Sequence, residues 1–265
     1  MIRIITGIIL AILVSFIVLF LPPIPLKLII AVLSALALYE YARMALPKHP
    51  TSSAALVILL GTALSLAFMF GANHASILVI ALPVILMVTF VFYLFRQHSL
   101  DLVFTQVSRT FFGTIYAGLM FSFLGLIRDL PVGAAWLFIV LATTFGADTG
   151  AYFFGHLLGK HKLAPRVSPS KTVEGLVGGL IFSIALAFGF KYLIINNFSI
   201  RDCLWVGGIA GLVGPLGDLC ESLIKRSVGV KDSGDLIPGH GGILDRVDAL
   251  LFTAPVVYYY AAYIR

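Results

Sequence analysis

The chain has 265 residues, 60% of them hydrophobic and 11% charged, with a mean hydropathy of +1.05. Soluble domains carry roughly 25% charged residues, so this composition excludes a water-soluble enzyme and points to an integral membrane protein. The net charge of +6 suits a surface that meets anionic head groups and an anionic soluble substrate, although membrane topology alone accounts for it equally well, and no nucleic-acid partner is expected.

Apolar stretches of spanning length fall at about 4–21, 24–45, 54–70, 75–95, 110–127, 133–156, 175–195, 203–224 and 243–264. A helix needs ~20 residues to cross hydrocarbon, so the pattern predicts an all-α polytopic fold of about nine transmembrane helices. The first stretch is read as a span because no small-residue cleavage site follows it and Pro22-Pro23 turns the chain into the second. With this layout thirteen of the 18 Lys and Arg fall on the side of Arg3; Lys27, Arg128, Lys191, Arg201 and Arg265 fall on the other. The positive-inside rule then gives a cytoplasmic N-terminus, an outside C-terminus and a polar C-terminal half facing the cytoplasm of a plasma (inner) membrane.

Residues 1–130 contain only three acids, Glu40, Asp101 and Asp129, and read as a scaffold of apolar helices with lipid and oligomer contacts. Glu40, between Tyr39, Tyr41 and Arg43, reads as an interfacial anchor or local ion pair. Ser99 to Thr110 alternates charged and apolar residues at helical spacing and predicts a segment lying along the interface before the fifth span.

Residues 131–265 differ. Eight of the 12 acids are Asp148, Glu174, Asp218, Glu221, Asp232, Asp235, Asp245 and Asp248, which the layout puts at helix ends and loops on one face of the membrane. Ser222 to Asp248 alone holds eight charged residues, each costing about 2.5–3.5 kcal/mol at the centre of a bilayer. Asp148 sits in Phe-Gly-Ala-Asp-Thr-Gly-Ala-Tyr, a lone acid among small residues that admit a helix or a ligand. It reads either as a site acid or as half of a structural ion pair.

Further along, Ser168-Pro-Ser170-Lys171-Thr172-Val-Glu174-Gly175 offers hydroxyls, a lysine and a helix start, the groups that hold phosphate. A plain N-cap at Ser170 or Thr172 explains the same letters. Asp218, Glu221 and Lys225 share a helix face by spacing, and Asp245 and Asp248 repeat the three-residue interval at the start of the last helix. Four carboxylates on two helices can hold one or two hard divalent cations; interhelical salt bridges with Lys225, Arg226 and Arg246 are the alternative. Pro238-Gly-His-Gly-Gly242 can form an anion-binding nest, with His240 as phosphate donor, metal ligand or turn residue. Lys225, Arg226 and Lys231 add positive charge for nucleotide phosphates or for head groups. Cys203 and Cys220 lack metal-ligand spacing and read as core packing.

The run Ser222-x-x-Lys225-Arg226, four residues, Lys231-Asp232, then Pro238-x-His240-Gly241-Gly242-x-x-Asp245-Arg246-x-Asp248 resembles the signature of the phosphatidate cytidylyltransferase family, without departure from it. The Ser168–Gly175 loop and the Asp148 helix resemble the family too. The resemblance implies transfer of a cytidylyl group from CTP to phosphatidic acid at the cytoplasmic face, releasing pyrophosphate and forming CDP-diacylglycerol for phospholipid biosynthesis. It also implies magnesium held by Asp218 and Asp245 with Glu221 and Asp248 in support, charge shared among Lys171, Lys225, Arg226, Lys231 and Arg246, and, at family level, a homodimer. Ser168, Ser170, Thr172, Glu174, Ser222, Asp232, His240, Gly241 and Gly242 would line the substrate site. A CTP-dependent lipid kinase or other membrane phosphotransferase is the nearest rival. An ion-coupled transporter would place its acids near the midplane with repeat symmetry, and no repeat is visible.

Overall fold

The computed structural model of the chain describes residues 2–46, 51–96, 100–193, 198–236 and 241–265, with side chains from residue 11. It is built of helices: α1 (Ile2–Phe20), α2 (Pro23–Ala45), α3 (Thr51–Phe70), α4 (His74–Leu94), α5 (Leu100–Gly113), α6 (Met120–Asp129), α7 (Gly133–Leu158), α8 (Val173–Leu193), α9 (Ile200–Ser227) and α10 (Leu244–Tyr259). Eight helical runs among the described residues are long and apolar enough to cross a membrane, and α1 adds an apolar helix of 19 residues. This agrees with the expected count of about nine. The Pro22-Pro23 turn also forms as read, with Pro23 opening α2 where its missing N–H costs nothing.

The segment from Leu100 to Thr110 is not a separate interfacial element. It begins one helical run from Leu100 to Asp129, because the π-helical turn Thr114–Leu119 carries the backbone bonding from α5 into α6. Thirty residues rise about 45 Å at 1.5 Å each, well beyond the ~30 Å of hydrocarbon. The run buries Gln106, Val107 and Thr110, so the alternation read as an interfacial face marks a packed one. Between α7 and α8 the expected loop is a hairpin: β1 (Lys162–Ala164) pairs antiparallel with β2 (Ser168–Thr172), with Lys162 opposite Thr172 and Ala164 opposite Ser168.

The chain forms two compact units. The first comprises Met1–Leu26, Leu126–Lys231 and Asp245–Arg265. Helices in lipid gain little from apolar burial against one another, so close backbone approach through small residues must hold them together. A Cβ on Gly179 of α8 would stand 2.6 Å from the Ala147 carbonyl oxygen of α7, and one on Gly211 of α9 would stand 2.5 Å from Cα of Leu180. Ser183 Oγ donates across the α8–α9 seam to the Gly207 carbonyl at 2.7 Å. At the start of α9, Ser199 and Asp202 form a capping box, and Asp202 accepts from the Tyr260 hydroxyl at 2.9 Å and pairs with Arg265 at 3.2 Å.

The second unit comprises Lys27–Gly125 and Asp232–Leu244. Its seams follow the same rule: a Cβ on Gly118 would lie 2.8 Å from the Gly61 carbonyl oxygen. Buried polar side chains satisfy helix-end carbonyls, with Lys27 Nζ donating to Met69 at 2.8 Å and Arg109 Nη1 to Ala45 at 2.8 Å.

These contacts rank glycine substitutions. Gly179→Val overfills the α7–α8 seam and is expected to cost about 1–3 kcal/mol, lowering the thermal midpoint of the detergent-solubilised protein. Gly208→Ala, whose Cβ would meet nothing within 4 Å, leaves that midpoint undiminished. A thermal-shift series read by size-exclusion chromatography checks both.

Candidate active site

The interval Asp218, Glu221, Ser222, Lys225 puts four polar side chains on one face of α9, as helix geometry requires. Lys225 is 8% exposed and Glu221 is fully buried. Lys225 Nζ lies 2.6 Å from Glu221 Oε2 on its own helix and 2.6 Å from Asp245 Oδ1 on α10. One ammonium group thus joins two helices through two carboxylates. Asp218 is served similarly, with Lys171 Nζ at 2.6 Å from Oδ2 and the Ser222 hydroxyl donating to Oδ1 at 3.3 Å.

What brings α10 to this face is Gly217. A Cβ there would stand 2.6 Å from the Asp248 carbonyl oxygen and 3.2 Å from Cα of Ala249, so the two backbones touch where the acids are. Asp248 is buried, and its Oδ1 accepts from the Ala249 amide at 2.7 Å. Its carboxylate lies within electrostatic reach of Asp218, Glu221 and Asp148. Asp148 is neither lone nor buried: it is exposed, and it faces Asp218 and Lys171. Asp148 and Asp218 lie ten and nine residues before the last residues of α7 and α9, which recesses them about 15 Å from the helix ends where they were expected.

Among the described residues no three Asp, Glu, His or Cys side chains already converge as a metal-binding group. The cations found at the carboxylates are the ammonium groups of Lys171 and Lys225. The donors nevertheless fit a hard divalent ion. All are carboxylate oxygens, and Glu221 Oε1 is buried without a hydrogen-bond partner, an acceptor that a cation would satisfy.

The hairpin delivers Lys171 from β2. Thr172 follows as the cap of α8, its Oγ1 accepting from the Gly175 amide at 3.1 Å, so the N-cap reading of this residue holds. The Ser168 and Ser170 hydroxyls stand 3.5 Å apart. Glu174 is committed to the hairpin base: it accepts from His161 Nδ1 at 2.6 Å and from the Lys160 amide at 3.0 Å. Arg226 also serves the hairpin, donating to the Val167 carbonyl at 3.4 Å and to Val230 at 3.1 Å. Lys231 and Arg246 are exposed. Asp232, Gly241 and Gly242 belong to the second unit, and Gly241 adopts a φ of 82° that favours glycine. His240 lies outside the described residues.

Residues 1–264 match the model of the cytidylyltransferase family. A phosphatidate cytidylyltransferase of Bacillus subtilis is 35% identical over 265 residues, covering 98% of this chain and 97% of that protein. The proteins of the same name from Staphylococcus aureus and Staphylococcus haemolyticus are each 44% identical over 142 residues, 54% of either chain. The chain belongs to the cytidylyltransferase family. As a member of it, the chain is a nucleotidyltransferase embedded in a membrane, with the acids and lysines above as its candidate machinery.

Two residues of this cytidylyltransferase escaped the sequence reading. Gly217 is one; a small residue directly before Asp218 was the available signal for a helix crossing. Glu40 is the other. It is no interfacial anchor paired with its neighbours: it is 2% exposed and accepts from the Ile243 and Leu244 amides of its own unit at 3.0 and 2.8 Å. Its physical reason is a cap supplied across more than 200 positions of sequence, which no local pattern announces.

The Lys225 bridge predicts non-additive energetics. Lys225→Ala leaves two carboxylates facing each other and is expected to cost about 3–5 kcal/mol, the scale of a broken buried pair. The triple variant Lys225→Ala, Glu221→Gln, Asp245→Asn is expected to recover most of that stability but no activity. Chemical denaturation in mixed micelles, read beside turnover, measures both.

Proposed function

We propose that this chain transfers a cytidylyl group from CTP to phosphatidic acid, forming CDP-diacylglycerol and pyrophosphate. The observation that supports it most directly is the pairing of buried carboxylates with Lys171 and Lys225 beside lipid, in a chain aligned almost end to end with a phosphatidate cytidylyltransferase. A phosphate oxygen of phosphatidate attacks the α-phosphorus of CTP. The bond from that phosphorus to the bridging oxygen breaks, and its electron pair leaves with pyrophosphate. Since the nucleophile is already anionic, the protein needs no strong general base. Its task is to hold two polyanions in line against their repulsion.

Lys171 can transfer its contact from Asp218 to the CTP phosphates, which frees that carboxylate at the moment the nucleotide arrives. Lys225 keeps α9 and α10 in register while substrate charge builds nearby. Arg226 holds the hairpin that carries Lys171, and Lys231 and Arg246 add positive charge at the surface. Asp148 orients Lys171. Asp218, Glu221, Asp245 and Asp248 would hold magnesium, which when bound neutralises charge on the CTP phosphates and the leaving pyrophosphate. The orientation assigned here, with N-terminus and site facing the cytoplasm, rests on the distribution of Lys and Arg.

Purified protein given CTP, phosphatidate and magnesium is expected to release pyrophosphate and CDP-diacylglycerol in equal amounts; release of CDP would instead identify a lipid kinase. Lys171→Ala is expected to raise the apparent KM for CTP and lower kcat while shifting the KM for phosphatidate less. An unchanged CTP titration removes Lys171 from the site. For orientation, Ser170→Cys in a variant lacking Cys203 and Cys220 should escape a membrane-impermeant thiol reagent added to intact cells and react once the membrane is opened.

A further inference from the structure

The first turn of α10 lacks a cap of its own. Ile243 occupies the position before Leu244, the first residue of the helix, and an isoleucine side chain has no acceptor for the exposed amides. Glu40 of α2 supplies both. Its Oε1 accepts from the Ile243 amide at 3.0 Å and its Oε2 from the Leu244 amide at 2.8 Å. The Ser233 hydroxyl donates to Oε2 at 3.3 Å. A Cβ on Gly234 would stand 2.8 Å from Glu40 Oε1, and one on Gly242 would stand 2.5 Å from Oε2, so the backbone on both flanks of this segment closes on one carboxylate.

A glycine-rich run has much conformational entropy to lose, and its amides are costly to bury without acceptors. A carboxylate offers two oxygens with several lone-pair sites and is favoured at a helix N-terminus. No shorter or neutral side chain from α2 meets both amides and the hydroxyl at once. The residue after Leu244 in the chain is Asp245, and Asp248 follows one turn on.

We propose that Glu40 is a positioning residue for cytidylyl transfer, its carboxylate clamping Ser233 and the Ile243 and Leu244 amides so that α10 starts at a fixed residue and in a fixed direction. The inference rests on the function proposed above. Glu40 touches no substrate in this scheme; it acts through the backbone that carries Asp245 and Asp248.

The test uses the full-length purified protein with Glu40→Gln, Glu40→Asp and Ser233→Ala. In the glutamine variant an NH2 group confronts a backbone amide. Its kcat is expected to fall about 10–100-fold, the loss typical of removing a supporting contact behind functional ligands, with each substrate KM held within about threefold. Hydrogen exchange should quicken across residues 241–250 and stay unchanged in α7 and α8. Glu40→Asp, which keeps the charge and both acceptors, should recover part of kcat, and Ser233→Ala should show a smaller loss of the same kind. Wild-type turnover and exchange in Glu40→Gln would overturn the proposal. So would a loss traced wholly to less folded protein, with normal turnover per folded molecule. Failure of the wild type to form CDP-diacylglycerol would refute the function itself, while the exchange measurement would still report on the clamp.

Discussion

A carboxylate carried into a membrane protein must find a partner, and here Lys225 provides one to two helices at once. Its ammonium group sits 2.6 Å from both Glu221 and Asp245 while only 8% of the residue is exposed. Separate burial of the three charges would cost several kcal/mol for each ion. Together they lock α10 to α9 at the depth where Asp218 and Asp248 also stand. The arrangement of every other polar group in this unit follows from keeping that charge balanced. Lys171 neutralises Asp218 from the hairpin, and Glu174 and Arg226 hold the hairpin in place from its base and its turn.

The same charges would be useless if the helices stood at ordinary separation. Side chains of Asp and Glu are short, so neighbouring carboxylates meet only where backbones nearly touch. Gly217 against Asp248 makes that contact between α9 and α10, and Gly179 against Ala147 and Gly211 against Leu180 continue it through α8 to α7. Small residues therefore do two things. They hold the bundle together where apolar burial gives little, and they set the reach of its acids. In the cytidylyltransferase reaction the attacking phosphate is an anion from the start, and a compact array of opposite charges suits a task that is mainly electrostatic.

The second unit solves a different problem with a similar tool. A glycine-rich segment exposes many backbone amides, and Glu40 gathers two of them with the Ser233 hydroxyl on one buried carboxylate. The acid that looked most ordinary in the sequence, at the end of an apolar helix among tyrosines, caps a helix that begins more than 200 residues later.

Membrane residence, helix number and the family signature were legible in the amino-acid sequence because each depends on local composition or spacing. A span needs only some 20 apolar residues in a row, and the interval from Asp218 to Lys225 is enough to put those side chains on one helix face. The partners of those side chains were not legible. That Lys171 meets Asp218, that Lys225 joins Glu221 to Asp245, and that Glu174 turns to His161 instead depend on which helices touch and at what depth. Those choices are made by glycine contacts between residues far apart in the chain, and a glycine announces only that something comes close. What comes close, and therefore which charge faces which, was decided by the tertiary structure.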